Sequence, residues 1–142
     1  MGKRRKARET AMQYLYQSAV RKDTDGAPLA EFWEEAGVTP EVQTFATKIL
    51  SKAFAQREKI DELIKEYTLH WKIERIAAVD LAILRMAISE MLYIPSTPPV
   101  VVIDEAVEIA KKYSTTESGA FVNGILDKIK HEVIDEHDSG KT

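Results

Sequence analysis

Apolar and polar positions alternate along most of this chain at helical spacing, but one stretch is apolar almost throughout. Ile76 to Leu92, IAAVDLAILRMAISEML, is broken only by Asp80, Arg85, Ser89 and Glu90. A helix that is apolar nearly all round is the buried centre of a bundle. Ala, Leu, Met and Ile dominate it and no Gly or Pro interrupts it, so helix is the favoured local state. It would be roughly 25 Å long, the width of a small domain. It is short for a membrane span, and Asp80, Arg85 and Glu90 would be costly in hydrocarbon.

The flanking segments read as amphipathic helices packed around this rod. Residues 4–20 place Ala7, Ala11, Tyr14, Leu15 and Ser18/Ala19 on one stripe. A polar turn follows at residues 22–26, and Pro28 suits the first turn of a short second helix that ends at Gly37. Thr39 caps a third helix, with Pro40 at its first position, running to about Arg57. A break near Arg57 precedes a fourth helix with Ile60, Leu63, Ile64 and Tyr67 inward, and a further break is expected near Thr68–Lys72. Pro95, Pro98 and Pro99 end the central helix and start the next. Val100–Ile103 has strand propensity, yet Val102, Ala106, Ile109, Ala110 and Tyr113 share one helix face, so helix is preferred. Ser114 to Glu117 matches a capping box. The last helix buries Phe121, Ile125, Leu126, Ile129 and Val133, and Gly124 inside it suggests close helix packing. The prediction is an all-α fold of about seven helices in two small antiparallel bundles around the central helix at 76–92. One domain spans 1–142, with sub-bundles at about 1–69 and 70–137.

Composition changes this picture at one end only. With 142 residues the chain suits one domain, and with no cysteine it has no disulfide, thiol nucleophile or cysteine-ligated zinc site. The charged first residues are unlike a secretory signal. A net charge of −3 conceals an asymmetry. Residues 1–22 carry seven basic side chains against Glu9 alone, a net of +6, so the remainder sums to −9. A basic segment on an acidic body suggests a polyanionic partner, although a solubilising tail has the same composition. Arg4, Arg5 and Arg8 lie mainly off the apolar stripe, which leaves them free for phosphates or bases.

No enzyme constellation emerges, and no cofactor is expected. His70, His131 and His137 are not at zinc-ligand spacing. The glycines form no phosphate loop, and no nucleophile elbow is present. Asp80 and Arg85 either pair locally or reach solvent, or Asp80 marks an exposed strip where a partner docks. Phe121 is either core or a ring offered for stacking beside the free N–H groups of a helix start.

Four motifs, in order and covering essentially the whole chain, closely resemble the NusB family of bacterial transcription antitermination factors. They are Arg4-Arg5-Lys6-Ala7-Arg8-Glu9 with Ala11, Gln13, Leu15 and Tyr16; Val79-Asp80-x-Ala82-Ile83-Leu84-Arg85-x-Ala87-x-x-Glu90; Ile103-x-Glu105-Ala106-x-Glu108-x-Ala110-Lys111; and Phe121-Val122-Asn123-Gly124-x-Leu126-Asp127. The resemblance implies a cytoplasmic, non-enzymatic, all-helical adaptor. It implies binding of single-stranded boxA RNA of ribosomal RNA leaders, with ribosomal protein S ten (NusE), in an antitermination complex on RNA polymerase. It places RNA contacts at Lys3, Arg4, Arg5, Lys6, Arg8, Glu117 and Phe121, and the protein partner at Tyr16 and Asp80. The basic face and Phe121 are then expected to line one groove. Family members occur as monomers and homodimers, so self-association stays open. Two alternatives remain at this point. One is the NusB-like module of a ribosomal RNA methyltransferase, although the chain ends before a catalytic domain could follow. The other is a structural interaction protein whose basic arm is inert.

Overall fold

The computed structural model describes residues 2–22, 29–68 and 73–135. Among them are α1 (Lys3–Arg21), α2 (Leu29–Ala36), α3 (Pro40–Ala55), α4 (Arg57–Tyr67), α5 (Ala78–Tyr93), α6 (Pro99–Tyr113) and α7 (Thr116–Ile129). A short 3₁₀ turn, Ile73–Arg75, precedes α5, and a π-helical turn, Lys130–Asp135, extends α7. The all-α class holds, and no described helix is long and apolar enough to cross a membrane. The predicted loop after Lys22, Pro28, His70 and the tail from His137 lie outside the described residues.

The apolar stretch is the axis of the molecule, as α5. Ile83, Leu84, Met86, Ala87 and Ile88 are fully buried, and α1, α3, α4, α6 and α7 all pack on it. Its boundaries sit slightly later than the apolar run, because Ile76 and Ala77 belong to the approach. Polar pairs fix the directions of its neighbours. Lys3 meets Glu41 at the starts of α1 and α3, so these two helices are parallel. Arg5 meets Glu105 and Glu9 meets Lys112, so α1 and α6 also run together. Arg8 meets Glu90 near the far end of α5, which is therefore antiparallel to all three.

Local signals explain most helix ends. Gly37, at φ +61°, donates its N–H to the Trp33 carbonyl and closes α2 in a conformation that side chains disfavour. The Thr39 hydroxyl accepts from Val42 N–H at 3.3 Å, and Pro40 takes the first helical position. The chain breaks at Gln56, so α3 stops at Ala55, two residues before the expected Arg57. Helix overrides the β-branched run in α6 because Val102, Ala106, Ile109 and Ala110 all reach the core from one face.

Two expectations are corrected. The cap of α7 is Thr115, which accepts from Ser118 N–H at 3.0 Å, and not Ser114, whose hydroxyl meets the Ser118 hydroxyl instead. Gly124 does not mediate close packing. It is exposed, and a Cβ there would meet nothing within 4 Å. Gly119 is the packing glycine, since its Cβ would lie 3.2 Å from Lys111 Cγ.

Candidate nucleic-acid interface

The basic arm is the first two turns of α1, and its cations point in three directions. Lys3 and Arg4 lie toward α3. Lys3 Nζ is 2.6 Å from Glu41, an exposed contact, and the Arg4 guanidinium sits over the Phe45 ring at 4.0 Å. Lys6 is exposed and has no carboxylate partner among the described residues. Arg5 and Arg8 lie toward α5 and α6. Arg5 donates through Nε and Nη2 to the two oxygens of Glu105, at 3.0 and 2.5 Å. Arg8 donates through Nε and Nη2 to Glu90, both at 2.7 Å, and through Nη1 to Glu105 at 3.3 Å.

This corrects the expectation that the arginines stand free. Arg8 is only 4% exposed and Glu90 is 0% exposed. Each group neutralises the other, because a charge removed from water must be paired. Arg5 is half-buried and keeps one guanidinium edge, Nη1 with the second N–H of Nη2, outside its fork with Glu105. The hydrogen bond from Arg5 holds the Glu105 carboxyl below the usual carboxylate range, and Arg8 adds to it against the opposing effect of burial. The same bond raises Arg5 further above its already high value.

A second seam continues from this cluster. Glu9, also buried, accepts from Lys112 Nζ at 3.0 Å and from the Tyr113 hydroxyl at 3.2 Å. The bond to Glu9 raises the lysine, and burial, aided by Glu9, raises the tyrosine. Gln13 adds a bond to Tyr113 at 3.3 Å. Tyr113 ends α6, two residues before the cap of α7. Tyr16 lies one turn beyond Gln13 and is 36% exposed.

The start of α7 forms a separate depression of about 230 Å³. Glu117 and Phe121 line it with Asp80, Arg75, Ile76, Ala77, Thr115 and Ser118. Phe121 is half-buried against the core and keeps an edge in the depression. Asp80 is not an exposed strip. It is buried, Ser118 Oγ donates to its Oδ2 at 3.1 Å, and its Oδ1 has no partner among the described residues. Arg85 pairs internally through a fork to Asp61 on α4, at 2.9 and 3.0 Å.

Arg4 and Phe121 therefore do not share a pocket. Arg4 lines a different depression, with Lys3, Glu41, Thr44, Phe45 and Lys48. Between the arginine cluster and the start of α7 lies the stretch of α6 from Glu105 to Tyr113, about 12 Å of helix. Sequence reasoning missed Glu90, Glu105 and Glu9 as partners of the arm, and Phe45 and Lys48 beside it. One signal was available. A carboxylate within an otherwise apolar helix, as Glu90 is, requires a buried cation somewhere in the chain.

An all-helical bundle carrying a basic first helix thus has two candidate contact regions, joined by the α1–α6 seam. The NusB family model matches residues 5–131. The chain is 42% identical over 133 residues to the transcription antitermination protein NusB of Koribacter versatilis (strain Ellin345), covering 93% of this chain and 91% of that one. It superposes on T. maritima NusB with a TM-score of 0.80 at 36% identity, covering 91% of each chain. It also superposes, with a TM-score of 0.81 at 31% identity, on a chain in the crystal structure of antitermination factors NusB and NusE in complex with dsRNA. That match covers 89% of this chain and 95% of that one. This chain belongs to the NusB family.

Proposed function

We propose that this protein is a non-catalytic, cytoplasmic RNA-binding adaptor of transcription antitermination. It binds boxA-type RNA of ribosomal RNA leaders together with ribosomal protein S ten (NusE), within an antitermination complex on RNA polymerase. The observation that carries this is the asymmetry of charge. Residues 1–22, at +6, stand on an acidic remainder of −9, and the family's relatives are antitermination factors. RNA phosphates are attracted to the start of α1 and repelled elsewhere.

Within this reading, Lys3, Arg4, Lys6 and the outer edge of Arg5 contact RNA directly. Arg8 acts from behind them by holding α1 in place. Glu117 and Phe121 meet the strand at the start of α7, where the ring's edge and the free N–H groups of the first turn are available. Tyr16 faces the protein partner, and Asp80, buried beneath the start of α7, acts from behind by accepting from Ser118. Two surfaces engaged at once raise the overall affinity by effective concentration. An unpaired strand is favoured because its base edges are open to side chains. A related complex holds dsRNA, so duplex RNA belongs in the test.

The test is fluorescence anisotropy with a short unpaired boxA-type RNA, the same sequence as duplex RNA, and duplex DNA, each with and without ribosomal protein S ten. Tightest binding to the unpaired RNA, further tightened by the protein partner and weakened by Lys6→Ala, is expected. Equal affinity for all three nucleic acids, or no binding to any, refutes the adaptor role.

A further inference from the structure

The depression between α1 and α3 extends the basic arm, through Lys3 and Arg4, onto α3, to which no contact was assigned above. It has a volume of about 380 Å³ and brings Lys3, Arg4 and Lys48 together against one carboxylate, Glu41. Glu41 is already committed to Lys3. The depression is therefore cationic, within the size range of small-ligand sites.

Arg4 differs from its neighbours in the arm. Arg5 and Arg8 spend their N–H groups on carboxylates, whereas no carboxylate bonds Arg4 among the described residues. Its guanidinium instead covers the Phe45 ring at 4.0 Å. Phe45 is buried, so no base can reach that ring directly. What the ring does is hold a planar cation over its face, leaving the cation's outer face and its donors toward solvent. A guanidinium plane held this way is a stacking platform for an unpaired base. Lys48 follows Phe45 by three residues on α3 and is exposed, in position for the phosphate beside that base.

We propose that this depression takes one nucleotide of the RNA strand, with its base stacked on Arg4 and a flanking phosphate on Lys48. The strand then leaves α1 on the α3 side, away from the α1–α6 seam. This rests on the RNA-binding reading above and adds α3 to it. It also divides the labour of the arm. Arg4 works through its plane, and Lys48 works through its charge.

The two roles separate in a salt titration of RNA affinity, with helicity checked by circular dichroism. Arg4→Lys keeps the charge and removes the plane. It is expected to weaken binding of unpaired RNA about tenfold while the slope of log affinity against log salt is unchanged. Lys48→Ala removes one phosphate contact and should lower that slope by about 0.7. Lys65→Ala, on the exposed face of α4, serves as the control and should change neither. Wild-type affinity in Arg4→Lys, or a wild-type slope in Lys48→Ala, overturns the α3 site and leaves the adaptor role standing. A wild-type chain that binds no RNA overturns both.

Discussion

Arg8 is the residue of the basic arm whose removal should harm the fold before it harms binding. It connects α1 to α5 through two parallel bonds of 2.7 Å to a carboxylate with no solvent exposure. Truncation in Arg8→Ala strands Glu90 without a counter-charge. Breaking a buried pair from one side costs about 3–5 kcal/mol, out of a total stability of about 5–15 kcal/mol. With a urea dependence of about 2 kcal/mol per molar, the unfolding midpoint falls by about 2 M. Glu90→Ala should cost less, because Arg8 retains its 3.3 Å bond to Glu105. The double variant Arg8→Met/Glu90→Leu removes both charges and fills the space, so it should recover most of the loss. Urea unfolding of the four proteins, followed by circular dichroism, measures the cycle. Single variants that each lose less than about 1 kcal/mol would show that the pair is not desolvated as described. A double variant that loses the sum of the singles would show that the two residues do not act on each other.

Gly124→Ala should stabilise the protein by about 1 kcal/mol, because the position is helical and open; thermal unfolding reads this directly, and destabilisation would show that α7 packs something there. The Glu105 carboxyl sits below its ordinary value of 4.5 through its bond from Arg5. Its contribution to stability is therefore complete above that value and is lost as pH falls through its depressed folded-state value. Glu105→Gln should flatten the acid limb of the stability profile, and a limb as steep as the wild type's would assign acid sensitivity to other carboxylates.

Helix positions were legible because the apolar period survives wherever a face is buried. The Val100–Ile103 run shows why period outranks propensity: Val102 and Ile103 are buried, and Val100 and Val101 are exposed, a division that a helix explains. The partners of the charges were not legible, because they are 82 and 100 residues apart for Arg8–Glu90 and Arg5–Glu105. Nothing local marks such a pair. Arg8 falls three residues before Ala11 and seven before Leu15, both buried, which sets it on the edge of the inward stripe. The tendency to treat every arginine as an outward cation hid that spacing. Gly124 misled for a related reason: a glycine inside a helix suggests close approach, but only the neighbouring helix decides whether anything approaches. For Gly119 the stem of Lys111 does, and for Gly124 nothing described does.

A cluster of basic residues names a composition, and the helix turns it into separate functions. Successive residues of α1 are rotated by about 100°, so four consecutive cations cannot all face one ligand. Lys3 and Arg4 fall toward α3, Arg5 and Arg8 toward the acids of α5 and α6, and Lys6 outward. The inward pair is what makes the outward set useful. Arg8 and Glu90 hold the first turns of α1 against the core, where an isolated N-terminal helix end would fray. A strand that binds this arm meets cations already in place, so less ordering entropy is lost on association than with a mobile tail. Removing an anchoring arginine should therefore weaken RNA binding even though it touches no phosphate. Its signature is a loss of affinity with the salt slope preserved, together with a lowered unfolding midpoint, whereas removing a contacting lysine such as Lys6 should lower the affinity and the salt slope and leave the midpoint unchanged.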